Sequence, residues 1–324
     1  MPRLVFKEVS GNWHTNDFKN VSLVKITFDT SPGHALAYVF FGHVNMDFDG
    51  SSTAYGPARL NPDDSLKNAG NATQGYYAVY ALSPNDPLVR RGHVTIDRGA
   101  PNFQGKFPVV QRKENFDPHP GYYVSTTPRS ADPKRPYKQS SYVDSAEIAY
   151  GALDGRLKAL GVDMGDFGLA LRHDQNMQSG FYFVDAGKNK YALGECSHKV
   201  GKNLGVTRLP NGKYDNNFPV SFILFPGSRK LRPQLFQSLK DAEIEKAMRP
   251  RLVELARAEN ADELPLLMGF NEVRGGVPQG KKKLDAYLKK PGSPKPSSYA
   301  TIKLGLVTFG FQPSATPTRP PEIF

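Results

Sequence analysis

Short runs of β-branched and aromatic residues recur along the first two thirds of the chain. "LVKITF" (23–28) and "ALAYVFF" (35–41) are separated by the turn-forming sequence "DTSPGH", a pattern that is typical of two strands joined by a turn. Similar runs predict further strands at 121–127, 167–173, 179–185 and 218–225. Hydrophobic patterning therefore predicts mainly β structure with long loops up to residue 228, with peripheral helices completing an α+β chain.

Two segments have helical rather than strand-like spacing. The first is "SAEIAYGALDGRLKALG" (145–161), although its two internal glycines weaken the prediction. The second follows Pro233, where apolar residues recur at helical spacing: Leu235, Leu239, Ile244, Met248, Leu252 and Leu255. We expect Pro250 to kink or divide this helix, because proline lacks the amide donor and clashes with the preceding turn.

The last third of the chain differs in composition from the rest. Residues 274–300 combine Gly, Pro and Lys as a flexible linker does, and 301–311 again has the composition of a strand. Residues 229–324 contain 17 Lys plus Arg against 10 Asp plus Glu, so they carry +7 of the net charge of +11. The expected organisation is a β-rich domain at 1–228 followed by a basic extension at 229–324.

Composition narrows the classes of function. The high net positive charge favours an anionic partner or simply a solvated basic surface. Nothing along the chain has the length and hydropathy of a membrane span, and the N-terminal residues lack the pattern of a classical signal peptide. We therefore expect a protein that is cytoplasmic at synthesis, with export by a non-classical or dedicated secretion system as the route to any outside target. Nucleic acid is not an expected partner, because basic and aromatic residues are not interleaved.

Metal and cysteine chemistry receive little support. Asn45, Asp47, Asp49 and Gly50 match the start of a calcium-binding loop, but the twelfth position is Gly56 instead of the bidentate Glu. The histidines show no short paired spacing, and Cys196 is the single cysteine. Cys196 and His198 lie two residues apart with no orienting third group, so a buried thiol is the preferred interpretation. No metal and no cofactor are expected.

Two acids stand at opposite ends of a glycine-punctuated loop, in "YFVDAGKNKYALGECS" (182–197). This segment, together with "MDFDGSSTAYGP" (46–57), "DDSLKNAGN" (63–71), "DPHPGYYVSTT" (117–127), "SSYVDSAEIAY" (140–150), "GDFGLAL" and "FILFPGS", resembles glycoside hydrolase family 75, the chitosanase family. The resemblance runs in order from about residue 41 to residue 228. It does not cover the C-terminal third, and Lys188 replaces the proline that usually follows "D-x-G" in the family.

The resemblance implies which residues carry the function. Its catalytic pair would be Asp185 and Glu195, and its substrate-binding groove would be lined by Asp47, Asp49, Tyr122, Tyr123, Ser125 and Asp144. The family hydrolyses β-1,4 bonds between amino sugars with inversion, for which one carboxylic acid protonates the leaving oxygen and one carboxylate activates water. The apolar residues before Glu195 favour it as the acid, since apolar surroundings raise a carboxyl pKa, and Asp185 would then be the base.

The fold and the substrate are open to more than one interpretation. The "D-x-G" loop suggests by analogy a double-psi β-barrel, in which closure would satisfy the strand edges, and an open mixed β-sandwich is the alternative. A polycationic chitosan would require an acidic groove, for which Asp63, Asp64 and Asp117 are further candidates, whereas the anionic peptidoglycan glycan would be attracted to the basic extension. The expected partners are an amino-sugar polymer and, for a secreted cell-wall toxin, an anionic wall surface or a secretion or immunity partner. A non-catalytic carbohydrate or cell-surface binding protein is the second hypothesis.

Overall fold

A computed structural model of the chain describes residues 2–15, 21–57, 59–60, 66, 69–71, 75–128, 130, 132–172, 175, 177–187, 193–209, 213–216, 218, 220–231, 239–256 and 258–259. The strands are β1 (Leu4–Trp13), β2 (Val21–Phe28), β3 (Ala37–Gly42), β4 (Asn45–Asp47), β5 (Gly70–Asn71), β6 (Gly75–Tyr76), β7 (Ala81–Leu82), β8 (Thr95–Ile96), β9 (Phe107–Val110), β10 (Tyr150–Asp154), β11 (Phe167–Arg172), β12 (Met177–Gly187), β13 (Glu195–Ser197), β14 (Thr207–Arg208), β15 (Tyr214–Asp215) and β16 (Val220–Phe225). The α-helices are α1 (Pro87–Arg90), α2 (His198–Asn203) and α3 (Asp241–Ala256), and 3₁₀ turns occupy Lys113–Asn115, Gln139–Ser141, Gly155–Leu160 and Ser228–Leu231.

One large mixed sheet organises the fold. Its nine strands follow the order β1-β2-β3-β16-β11-β12-β10-β13-β4. The pairs β10 with β12 and β13 with β4 are parallel, and the other pairs are antiparallel. The prediction of a mainly β chain with few helices is confirmed. Because β1 and β4 are opposite edges, the sheet is open, and the closed double-psi β-barrel is not confirmed.

The centre of the sheet is covered on both faces. Every residue of β11 and of β16 is buried, which explains why these strands are predominantly apolar rather than alternating, with Arg172 and Ser221 as polar exceptions. The ring of Phe181 fills the space that two glycines leave on neighbouring strands. A Cβ atom on Gly168 would lie 2.4 Å from this ring and one on Gly151 would lie 2.9 Å from it. The two glycines are therefore required by close packing.

Helix α3 packs on the sheet and shares its core. Leu239, Ile244, Met248, Leu252 and Leu255 are all buried in the same hydrophobic cluster as the central strands. Pro250 lies inside this helix and does not divide it. Apolar contacts made before and after the proline hold both halves against β11 and β12, which offsets the lost backbone hydrogen bond.

One predicted element is wrong and another is irregular. Residues 145–161 do not form a helix: they contain β10 and the 3₁₀ turn at 155–160, with Asp154 accepting a hydrogen bond from the amide of Arg156. Residues 121–127 form isolated bridges instead of a continuous strand. Most of their backbone hydrogen bonds run to two segments, 78–80 and 109–111. The Gln139 side chain adds to these bonds, since it accepts from the amide of Ser125 and donates to its carbonyl oxygen.

Several expectations concern residues outside the described ranges. These are Leu235, the linker at 274–300, the strand at 301–311, and Asp63, Asp64 and Lys188. Within the described part of the chain, no helix is long and apolar enough to cross a bilayer.

Candidate carboxylate site

The strand register brings the two predicted catalytic acids to one face of the sheet. Asp185 on β12 lies opposite Ala152 on β10, and Gly151 lies opposite Cys196 on β13. One step along this antiparallel pair places Ala152 opposite Glu195. Residues directly opposite one another in a ladder point to the same face, and strands are about 4.8 Å apart, so the backbones of the two acids are separated by about 10 Å.

Strand β4 brings a third acid to the same face. Glu195 pairs with Asn45 and Ser197 pairs with Asp47, so Asp47 and Glu195 belong to adjacent strands. The turn that follows β4 brings Asp49 close to the same acids. One carboxylate oxygen from each of Asp47, Asp49 and Asp185 lies within 4.8 Å of the other two. We call Asp47, Asp49, Asp185 and Glu195 the carboxylate cluster.

Hydrogen bonds fix the Asp47–Gly50 turn. The Asp49 amide donates to Asp47 Oδ1 (2.8 Å), and the Gly50 amide donates to the Ser125 hydroxyl (2.8 Å). Gly50 has a φ of 81°, and a Cβ atom there would lie 2.0 Å from the carbonyl oxygen of Val143. Only glycine fits this position, so the glycine of the "D-x-D-G" sequence is required by the turn itself.

Two tyrosines support the turn from below. The buried Tyr150 hydroxyl lies 2.5 Å from the Asp49 carbonyl oxygen and 3.3 Å from Asp47 Oδ2. The Tyr55 hydroxyl donates to Asp49 Oδ1 (2.6 Å). Burial, followed by the charges of Asp47, Asp185 and Asp49, holds the pKa of Tyr150 well above its usual value, so this hydroxyl remains a donor. Sequence reasoning assigned no role to Tyr150, and nothing in the sequence distinguishes it from the other tyrosines.

Three acids of the cluster have no cationic partner in the described part of the chain. Described Lys and Arg side chains form no ion pair with Asp47, Asp185 or Glu195. Burial and then the charges of Asp47 and Asp49 raise the pKa of Asp185 well above its usual value. Burial also raises the pKa of Asp47, against the lowering effect of the Asp49 amide. These two carboxyls are close enough to share a proton, and the oxygens of Asp47, Asp49 and Asp185 are also the ones that could hold a metal ion.

Asp185 and Glu195 differ in their access to solvent. Asp185 is 5% exposed, its Oδ1 accepts from the Ala186 amide (2.6 Å), and its buried Oδ2 has no donor among the described residues. Glu195 is only partly buried. Burial, together with the charge of Asp47, raises the pKa of Glu195 to about 8, so this acid holds its proton at neutral pH. The cluster thus contains a partly exposed proton donor, Glu195, and a buried pair, Asp47 and Asp185, in which one shared proton leaves the other carboxyl ionised.

Aromatic residues lie beside two acids of the cluster, Asp49 and Glu195. Tyr77 is 44% exposed, and burial of its ring, with the charges of Asp49 and Glu195, raises its hydroxyl pKa. The rings of Phe48, His198 and Tyr214 lie within 5.3 to 5.8 Å of one another. Sequence reasoning missed Tyr77, Phe48 and Tyr214 as site residues, although Phe48 lies between the two acids of the turn.

The remaining predicted site residues are not all in the groove. Asp144 faces His198 and lies 3.5 Å from the Ser52 hydroxyl. Ser125 is fully buried beneath the turn. Tyr123 is 2% exposed and donates to Asp97 (2.7 Å), and the Tyr122 hydroxyl donates to the Leu60 carbonyl oxygen (3.2 Å). The hydrogen bonds of Ser125 and Tyr123 therefore make them structural.

Two further candidates have structural positions. Asp117 is buried and accepts from the amides of Arg112 and Gln139, so it does not line a groove. Cys196 is 1% exposed, and burial raises its thiol pKa well above the usual value, which confirms the interpretation of a buried thiol.

Comparison with known proteins adds no identification. No protein-family model matches this chain, and no curated protein is significantly similar to it. The resemblance to glycoside hydrolase family 75 therefore stays a prediction, and the function is argued from the carboxylate cluster alone.

Proposed function

We propose that this protein is a glycoside hydrolase that cleaves β-1,4 bonds between amino sugars with inversion. The proposal rests on one observation: a partly exposed Glu195 with a pKa of about 8 lies two strands from a buried carboxylate on the same face of the sheet. A raised carboxyl pKa suits a general acid, and a second carboxylate suits a general base. The double-psi β-barrel implied by the resemblance is part of this proposal.

Each acid has a separate task in the reaction. Glu195 protonates the leaving glycosidic oxygen, because it is protonated at neutral pH and reaches the open side of the cluster. Asp185 accepts the proton of the attacking water as a carboxylate, in the state in which the proton that it shares with Asp47 lies on Asp47. A backbone separation of about 10 Å is compatible with the roughly 6.5–9.5 Å between carboxyl groups that inverting enzymes use to accommodate water.

The test is to remove each proton-transfer group while preserving its shape. We expect Asp185→Asn and Glu195→Gln each to lower turnover about a hundredfold or more, because general acid and base catalysis contribute on that scale. Purified protein would be incubated separately with chitosan and with peptidoglycan, and the products would be analysed by mass spectrometry.

A matched control is Glu114→Gln, because the Glu114 side chain is 68% exposed and pairs with Arg112. It should retain full turnover. Turnover near that of the unaltered protein in either cluster variant would contradict the assignment. Binding of polymer by the unaltered protein without any cleavage would instead support the second hypothesis, a non-catalytic carbohydrate-binding protein.

A further inference from the structure

A cavity of about 530 Å³ lies beside the carboxylate cluster. Four aromatic rings line it, those of Tyr76, Tyr80, Phe103 and Tyr142, together with the prolines at 128, 133 and 136. The volume falls within the roughly 300–1,000 Å³ that is usual for small-ligand sites.

The cavity and the carboxylate cluster share a wall. Tyr76 lines the cavity, whereas its neighbour Tyr77 lies near Asp49 and Glu195. Thr127 also lines the cavity, and its Cγ2 atom lies 2.8 Å from the position of a Cβ atom on Gly50. A backbone hydrogen bond from the Thr126 amide to the Ala78 carbonyl oxygen joins the two segments of this wall (2.9 Å). The cavity and the cluster therefore lie on the two sides of one wall, and an oligosaccharide that reaches around this wall would contact both.

Hydrogen bonds hold two of the rings in place. The Tyr76 hydroxyl donates to the Pro101 carbonyl oxygen (2.6 Å), and the Tyr142 hydroxyl donates to that of Pro136 (2.8 Å). The rings of Tyr76 and Phe103 meet edge to face at 4.3 Å. A ligand thus meets rings that are already fixed, so it does not lose free energy in ordering them.

The polar lining differs in charge from the cluster. No Asp or Glu is among the described residues that line the cavity, and Lys106 supplies a cation at its rim. Gln104, Thr126 and Ser130 supply neutral donors and acceptors. Asp97 and Asp86 lie near the hydroxyls of Tyr76 and Tyr80 without lining the cavity. An ammonium group would find no carboxylate in this described lining, whereas an acetamido group would find apolar rings for its methyl group and neutral partners for its amide.

We infer that this cavity binds N-acetylated amino-sugar residues of the polysaccharide, next to the cleavage site. The inference rests on the proposed function and narrows its substrate to an N-acetylated glycan. Sugar rings present C–H groups that pack on aromatic faces, and their hydroxyls match the Gln, Thr and Ser side chains.

The experiment measures binding apart from cleavage. Glu195→Gln protein would be titrated by calorimetry with a β-1,4-linked hexamer of N-acetylglucosamine and with its fully deacetylated counterpart. We expect tighter binding of the N-acetylated hexamer. Adding Tyr80→Ala should weaken that binding roughly tenfold, which is what loss of about 1.4 kcal/mol produces.

Two further variants keep the test independent of folding. Lys106 is exposed at the rim. Lys106→Glu should weaken binding of the N-acetylated hexamer several-fold. It should also narrow the difference in affinity between the two hexamers, because the new carboxylate attracts the ammonium groups of the deacetylated one. Phe116 is 90% exposed and outside the cavity lining, so Phe116→Ala controls for the general loss of an aromatic side chain and should bind as the parent does.

The outcomes separate the two proposals. Unchanged binding in both the Tyr80→Ala and Lys106→Glu variants, or a preference for the deacetylated hexamer, would overturn the inference even if the unaltered protein cleaves polymer. If these variants lose binding but the unaltered protein cleaves no polymer, the cavity is supported as the binding site for N-acetylated sugars and the proposed hydrolase function is overturned.

Discussion

At the scale of single residues, the carboxylate cluster opposes stability. Asp185 is buried, faces Asp47, and has neither a donor for Oδ2 nor an ion pair among the described residues. Asp154 is also buried, but both of its carboxylate oxygens bind the guanidinium of Arg156. Two buried aspartates in one sheet therefore have opposite energetic roles. Asp185 lowers the stability of the fold, whereas Asp154 raises it.

This contrast predicts how stability changes with pH. The pKa of Asp185 is raised in the folded chain, so the folded state binds more protons than the unfolded state above about pH 4, the usual carboxyl pKa. Stability therefore falls as pH rises through that range toward the folded pKa. Asp185→Asn removes the charge, and we expect it to raise the free energy of unfolding by about 1 kcal/mol or more at pH 8, and by less at pH 5.

Thermal denaturation of both proteins at several pH values measures this difference. Asp154→Asn is the matched control, and it should lower the melting temperature, because it leaves Arg156 without its carboxylate. A lower melting temperature for Asp185→Asn at pH 8 would show that its carboxylate is satisfied by something other than a proton.

At the scale of elements, patterning predicted the strands whose residues are apolar throughout. The runs at 23–28, 35–41, 167–173, 179–185 and 218–225 all lie in or overlap strands of the large sheet. Its first strand, β1, was missed, because its apolar run is only three residues long (4–6), polar residues follow it, and "SGNW" interrupts the pattern at its end. Elements in the interior of a sheet are thus easier to predict than its edges.

The failed helix at 145–161 has a tertiary cause. Local spacing favoured a helix, but β10 pairs with both β12 and β13, and Gly151 accommodates the rings of Phe181 and Phe183. None of these partners is local in sequence. The carboxylate cluster was likewise predictable only in part. The sequence marks Asp185, Glu195 and the "D-x-D-G" turn, but only the order in which distant strands pair places β4 beside β13.

The glycines beside the Phe181 ring give a prediction at this scale. Gly168→Ala would place a methyl group within 2.4 Å of the buried ring, which cannot move toward Gly151 because that side is also filled. We expect a loss of about 1–3 kcal/mol in the free energy of unfolding, the usual cost of overpacking a core. Urea denaturation measures it. Gly155→Ala is the control, since nothing lies within 4 Å of the place that its methyl group would take, and equal losses in the two variants would contradict the packing argument.

At the scale of the whole molecule, positive and negative charge are segregated. The net charge is +11, yet the carboxylate cluster has no described cation paired with Asp47, Asp185 or Glu195. Residues 229–324 hold +7 of the surplus, and most of them lie outside the described ranges. Under the proposed function, an acidic site and a basic extension would suit a polymer whose bond to be cleaved is neutral and whose surroundings are anionic, as in peptidoglycan.

This segregation predicts separate effects on binding and on cleavage. The variant replaces five lysines of the extension with glutamine: Lys281, Lys282, Lys283, Lys289 and Lys290. We expect it to lose binding to peptidoglycan sacculi at low salt, while it cleaves short soluble oligosaccharides at an unchanged rate. Exposed charges are screened over about 8–10 Å at physiological ionic strength, so the binding of the unaltered protein should also weaken as salt is added.

Co-sedimentation with sacculi across a salt series measures this binding. The matched control removes the same charge from exposed positions of the described chain outside the extension: Lys7, Arg90, Lys113, Lys134 and Lys158. If both variants lose binding equally, the effect belongs to net charge, and if neither does, the lysines of the extension are an ordinary solvated surface.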